Sequence, residues 1–320
     1  MWKRLALCAM GVLACATAFA QAYPSRPVKV VIPWPPGQAT DIAARMVAAK
    51  LQETMGQPFV MDNRAGAGGS LGTEIAAKSP ADGYTLLAAS SGPISIMPSL
   101  QKLPYDPQKD LTLVALITRN PYVLVVHPSF PANNAKEFIA QLKANPDKYT
   151  FASSGTGATA HLLEELFNSM AGIKARHIPY KGSAPATTDV LNGQVTYMVE
   201  TVASLVSHIR NGRLKPLGVS TARRAAALPE VPTLMEAAGL PDYDAAAWIG
   251  YAVPSATPKD IVQKLSAEIQ KVLKMPDLRE KLLAAGLDPV ESTPEELVAF
   301  MRKEQERYAA VIKNANIRVE

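Results

Sequence analysis

From Val28 onward, short β-branched runs take turns with segments of helical periodicity: "VKVVIPW" precedes "TDIAARMVAAKLQETMG", and "FVMDN" and "YTLLAAS" follow. Strands this apolar must be covered on both faces, and helices between them supply the cover. The alternation therefore predicts an α/β fold with a largely parallel sheet. The design restarts with "YVLVVHP", "YTFASS", a helix from about Thr159 to Ala171, "ARHIPYKG" and "PLGVST". Two such blocks imply two lobes.

Helix phase and boundaries follow from the same pattern. In the first helix Ile42, Met46 and Ala49 share a face, Thr40 is placed to cap the start, and Gly56 follows the end. In the second block Leu162, Leu163, Leu166, Phe167 and Met170 form the expected buried stripe, with Gly172 at the exit. Ile261, Val262, Leu265, Ile269, Val272 and Leu273 mark a further amphipathic helix, and Glu295 to Lys313 another. These C-terminal helices need a sheet to cover. The chain is read as crossing between lobes near "TRNPYVLVV" and returning near "AAAWIGYAVPSATP". Domain 1 is then residues 21–121 with 248–320, and domain 2 is 122–247. Two crossings make a hinge, and the cleft between the lobes becomes the expected ligand site.

The chain opens "MWKRLALCAMGVLACATAFAQAYPSRP", with Lys3 and Arg4 ahead of an apolar run from Leu5 to about Phe19 and Ala18-Phe19-Ala20 before Gln21. This reads as a secretory signal peptide over residues 1–20, because the run is shorter than the ~20 apolar residues a bilayer span needs. A lipoprotein start at Cys15 fits poorly with bulky Leu13. Both cysteines, Cys8 and Cys15, lie inside this segment, so an exported mature chain would rely on its core in place of disulfides. Removing Lys3 and Arg4 takes the formal charge from +5 to +3, thinly spread. No arginine-rich run or aromatic-plus-basic motif argues for nucleic acid.

Enzyme signatures are mostly missing: the mature sequence holds no G-x-S-x-G, H-E-x-x-H, Walker A or C-x-x-C pattern. "SLQK", Ser99 to Lys102, lacks the S-D-N and K-T-G partners that give S-x-x-K meaning. "GAGGSLG", Gly66 to Gly72, misses the dinucleotide fingerprint because Leu71 occupies the last glycine position. The histidines, His127, His161, His177 and His208, have no metal-ligand spacing. No metal or cofactor is expected. What remains are two loops leading into helices, "PWPPGQATD" and "SSGTGAT". The first N–H groups of a helix lack intrahelical partners and the dipole is positive there, so such starts suit an anion, although ordinary capping accounts for the same residues. Burying a carboxylate costs several kcal/mol. One helix terminus returns ~0.3 to 2 kcal/mol and a charge-assisted hydrogen bond ~1.5 to 3 kcal/mol. One loop is too little; loops from both lobes, converging on closure, would suffice.

Several motifs in order are similar to the solute-binding receptors of tripartite tricarboxylate transporters, the Bug family. They are "YPSRPVKVVIPWPPG…TDIAAR", "NRAGAGGSLGTEIAAKSPADGYTLL", "LPYDPQKD", "ASSGTGATAHLLEELF", "HIPYKGSAPATTDVLNGQV" and "LPEVPTLMEAAGLPDYDAAAWIG". The resemblance spans nearly all the mature chain. It implies a monomeric periplasmic protein of two-lobed type II periplasmic-binding architecture, closing over a small mono- or dicarboxylate and delivering it to membrane permease subunits. Carried over residue by residue, Trp34, Gly37, Gln38 and Ala39 form one wall, with Asp41 fixing the loop, and Ser90 and Ser91 line domain 1. From domain 2 come Ser154, Thr156, Gly157 and Thr159, with His161 nearby, then Tyr180, Ala186 and Asp189. For His161 a structural bond to the neighbouring loop is the plainer expectation. Asp189 is expected to orient amides or water, or to meet a ligand amino group, and Lys181 to be solvated. Gln38 stands where the family commonly has a second glycine, and Thr196 replaces an aspartate. Two rival readings stand beside transport: a sensing subunit docking on a receptor kinase's extracellular domain, and a secreted hydrolase pairing Ser154 with His161.

Overall fold

The computed structural model describes residues 23–314 apart from 147, 242 and 293. The expected signal segment lies outside the described residues. Val28–Ile32 (β1), Phe59–Asn63 (β2) and Thr85–Ser90 (β3) pair in parallel in the order β2-β1-β3. They are connected through Ala39–Met55 (α1) and Ser70–Ala77 (α2). The second block repeats the plan. Leu111–Val126 (β4) is followed by Ala135–Ala144 (α3), Thr150–Ser153 (β5), Thr159–Ala171 (α4), Arg176–Pro179 (β6) and Ser183–Leu191 (α5). Tyr197–Thr201 (β7), Val202–Arg210 (α6), Lys215–Val219 (β8) and Leu234–Ala238 (α7) come next. β5 pairs in parallel with both β6 and β7.

The centre departs from the expected parallel sheet. Ala246–Pro254 (β9) runs antiparallel to β3 and to β4, and β4 runs antiparallel to β7 and β8. Only the flanks, where helices supply crossover connections, are parallel. β4 belongs to both sheets: Leu111 to Pro121 pair with β9, and Tyr122 to Val126 pair with β7. One long strand and its returning partner thus carry the chain between two α/β lobes. Lys259–Leu273 (α8), Pro276–Ala284 (α9), the short Asp288–Pro289 strand (β10) and Pro294–Asn314 (α10) complete the chain.

Helix phase differs from the sequence expectation in two places. α1 buries Ala43, Ala44, Val47, Ala48 and Leu51, whereas Ile42 and Met46 are partly covered at the core's edge and Ala49 is exposed. Small alanines let the helix lie close on the sheet, so its larger side chains fill the margin. α1 also begins before Thr40: Gln38 is the N-cap residue and its side chain makes no cap bond. In α4, Leu162, Leu163 and Phe167 are buried as expected, but Leu166 is only partly covered, Met170 is exposed, and the buried face runs on through Glu164, Asn168 and Ala171. Asn168 tolerates this position because its Oδ1 accepts a 2.7 Å hydrogen bond from the Tyr197 hydroxyl. Gly56 and Gly172 end their helices in the left-handed region, at φ 72° and 62°.

Apolar clusters cover both faces of each sheet. In the second lobe Phe138 is fully buried among Phe130, Phe167 and Tyr197. Asn134 caps its helix by accepting from the Glu137 N–H at 2.9 Å. A smaller cluster joins Tyr308 and Ile312 of α10 to Ile96 and to Leu162 of α4, so the last helix touches both lobes. Phe138→Ala is expected to lower the stability by ~3–5 kcal/mol, because the rings around it cannot collapse onto the space left. Urea titration followed by circular dichroism measures this as a lower midpoint at unchanged slope.

Candidate functional site

The lobes meet around a cavity of about 30 Å³. Trp34, Gln38, Ala39, Thr40, Ser90 and Ser91 line it from one lobe, and Ser154, Ala158, Thr159, Glu200 and Thr201 from the other. Asn120, Tyr122, Ala247, Trp248 and Ile249 of the crossing strands close it. Three helices begin here: α1 after Gln38, α4 after Ala158 and α6 after Thr201. None of the three N-cap side chains bonds a backbone N–H of its first turn, so those amide groups remain free for a ligand. Among the described residues no lysine or arginine lines the cavity. Its volume holds a water or two, so an organic acid requires the lobes to part and close again around it.

The first wall is held by a buried carboxylate. Asp41 accepts from the Gly37 N–H at 2.9 Å, from Arg45 Nε at 2.8 Å and from Asn63 Nδ2 at 2.9 Å. Asn63 also donates to the Trp34 carbonyl at 2.9 Å, which pins the Pro-rich turn. Trp34 spends its indole N–H on Ser90 Oγ at 2.9 Å. It is therefore a strut, and the Ser90 hydroxyl keeps its own proton to donate. Ser91 is committed to the backbone, accepting from the Trp248 N–H at 2.8 Å.

The opposing loop rests on a stack of rings. His161 lies on His177 with centroids 4.0 Å apart, and Phe151 backs them. His161 Nδ1 accepts from the Gly157 N–H at 3.3 Å, the structural bond the sequence suggested. His177 Nε2 meets Ser153 Oγ at 2.6 Å. Burial lowers His161 to about 4, and burial together with the His161 charge lowers His177 to about 3, so both rings are neutral near pH 7. The Ser154–His161 dyad of the hydrolase reading does not form, because the His161 ring is held by Gly157 and His177 while Ser154 faces the Glu200 carboxyl.

Of the sequence-derived site residues, Trp34, Gln38, Ala39, Ser90, Ser91, Ser154 and Thr159 come together at the cavity. Thr156 and Tyr180 line a wider groove between the lobes, about 550 Å³, which shares Trp34 and Ser154 with the cavity and forms its mouth. Gly157 packs under Met97. Ala186 lies in the second lobe's core, and Gly37 borders a separate surface depression. Asp189 accepts from the Tyr180 hydroxyl at 2.5 Å, and Lys181 is exposed. Asn120, Tyr122, Glu200, Thr201 and Trp248 were not anticipated. A legible signal existed for one pair: "VET" ends a strand run directly before the helical "VASLVSHIR", which places Glu200 and Thr201 at a third helix start.

Two buried carboxyls shape the electrostatics. Glu200 accepts from the Thr201 N–H and from Ser183 Oγ, both at 2.7 Å; burial raises its pKa and these bonds oppose the rise. Glu164, one helix away, accepts from the Val199 N–H at 2.6 Å, and its Oε2 has no partner among the described residues. Burial raises it well above the ordinary carboxylate range.

A two-lobed α/β chain whose lobes turn helix starts toward each other across a closed cleft is a ligand-binding protein of the periplasmic-binding class. The family described as "Tripartite tricarboxylate transporter family receptor" (TctC) matches residues 43–317, and the chain belongs to it. Protein BugT of Bordetella pertussis is 39% identical over 309 residues, covering 95% of this chain and 94% of BugT. The structure of Rpa4515 from R. palustris with adipate superposes with a TM-score of 0.90 at 34% identity, covering 92% of this chain and 99% of that one. MatC from Rhodopseudomonas palustris with bound malate gives 0.85 at 33% identity, covering 91% and 100%.

Glu164 gives a test of the buried electrostatics. The unfolded chain releases this proton in the ordinary carboxylate range while the folded chain holds it, so stability falls as pH rises from that range toward the raised folded value. Urea midpoints at pH 5 and pH 8 are expected to show the fall in the wild type and a smaller one in Glu164→Gln.

Proposed function

We propose that the chain is an exported receptor that captures a small organic carboxylate in the periplasm and presents it to the membrane subunits of a tripartite transporter. The observation that carries this reading is the convergence of three uncapped helix starts on a cavity lined by no described lysine or arginine. Uncharged donors fixed in a closed site compensate a carboxylate for its lost hydration, as oriented water would, without an ion pair that would slow release. The carboxylates bound to Rpa4515 and MatC support the ligand class.

The fold supports a working cycle. The lobes, residues 21–121 with 248–320 and residues 122–247, hinge where β4 passes from one sheet to the other and where the chain returns into β9. The acid enters along the Thr156–Tyr180 groove, and closure brings Ser90 and the starts of α1, α4 and α6 around it. Burial raises the Glu200 pKa and so favours its proton, against the hydrogen bonds that lower it. Anion binding favours it further, so capture takes up a proton.

Two measurements test this. Calorimetric titration with mono- and dicarboxylates is expected to show binding that Ser90→Ala weakens by about tenfold, the loss of one charge-assisted bond. Thr156→Val, at the mouth, is expected to weaken it by less than about threefold on the same scale. Unchanged affinity in Ser90→Ala contradicts the placement. Wild-type affinity is also expected to fall as pH rises through the Glu200 pKa, whereas Glu200→Gln flattens that dependence.

A further inference from the structure

Asn120 sits on β4, next to Pro121, where the strand passes from one sheet to the other. It is fully buried and lines the cavity, and neither its Oδ1 nor its Nδ2 has a partner among the described residues. Gln38, 8% exposed, lines the same cavity with its Oε1 likewise unpartnered. Polar groups this deeply buried are normally bonded, so an orphaned amide and a second orphaned amide oxygen in one cavity point to a ligand. Their chemistry says which kind.

A carboxylate brings acceptors alone, and the helix starts together with the Ser90 hydroxyl provide for it. Asn120 Oδ1 and Gln38 Oε1 are acceptors too, and only a donor satisfies them. An acid without a donor leaves them buried and unbonded, which is how a site rejects an analogue lacking one polar group. We propose that Asn120, assisted by Gln38, is the specificity-determining residue of the cleft. It selects acids that carry a hydrogen-bond-donating substituent, a hydroxyl or an amino group, over the same skeleton unsubstituted. Nδ2 then donates to an oxygen of the ligand while Oδ1 accepts from its O–H or N–H. This rests on the carboxylate reading above.

The test is calorimetry with matched sets: succinate, malate and aspartate; glutarate, 2-hydroxyglutarate and glutamate; propionate, lactate and alanine; benzoate and 4-hydroxybenzoate. In at least one set the wild type is expected to bind a donor-bearing member about tenfold or more tighter than the parent acid. Asn120→Leu, close in shape, is expected to bring that ratio toward one, with a melting temperature at or above the wild type because the orphaned amide is gone. Asn120→Asp keeps an acceptor and adds charge, so it shifts the preference toward the amino member if the natural substituent is cationic and weakens all members if it is a hydroxyl. The wild-type ratios need no variant, so poor folding of Asn120→Leu does not disarm the test. Parent acids binding as tightly as their substituted partners in every set overturn the inference. So does a ratio that survives in a folded Asn120→Leu, which assigns the amide to structural water. Failure of every acid to bind overturns the carboxylate reading itself, and the inference with it.

Discussion

The structure depends on helix starts left open toward one another. A helix whose N-cap side chain makes no bond forgoes ~1 kcal/mol. This chain forgoes it three times around a single cavity, at Gln38, Ala158 and Thr201. Two starts elsewhere are capped: Asn134 closes the start of Ala135–Ala144, and Thr233 forms a reciprocal capping box with Glu236. The start of Lys259–Leu273 is uncapped at exposed residues, where water serves the amides, and Ser70–Ala77 and Ser183–Leu191 begin without a side-chain cap at buried residues away from this cavity. At the cavity the amides are withheld from the protein and remain for something that enters.

Bringing those starts together requires the lobes to approach closely, and glycine permits it. A Cβ on Gly182 would stand 2.7 Å from Pro35 Cγ of the other lobe, and one on Gly68 3.0 Å from the Thr156 carbonyl oxygen. Gly157 accommodates the Met97 sulfur in the same way. Behind this contact, α10 lays Tyr308 and Ile312 against both Ile96 and Leu162. The open amides, the glycines and the bridging helix belong to one device, because each is useful only when the cleft closes.

Much of the fold was legible. Alternating strand and helix periods, and Gly56 and Gly172 as helix exits, follow from local residue chemistry. The antiparallel centre was not legible, since a strand that serves two sheets has the same apolar pattern as one that serves a single sheet. Helix phase failed where tertiary distance overrode hydrophobicity: alanines face the sheet in α1 and leave Ile42 and Met46 at its edge. At the site, hydroxyls and glycines in loops were readable because their types are specialised. Asn120 was hidden inside an apolar strand run, and Glu200 looked like an ordinary strand-end acid. Only the third dimension shows that both face the same small space. Asp189 and Tyr180, plausible ligand groups in sequence, turn out to satisfy each other.

The central claim is that backbone amides and hydroxyls, not side-chain cations, hold the captured acid. A crystal structure of the protein with a bound carboxylate measures this most directly. The account predicts carboxylate oxygens within hydrogen-bond distance of first-turn N–H groups following Gln38 and Ala158, with Ser90 Oγ as a further donor. An acid held chiefly by lysine or arginine, or seated outside the cleft between the lobes, would contradict it.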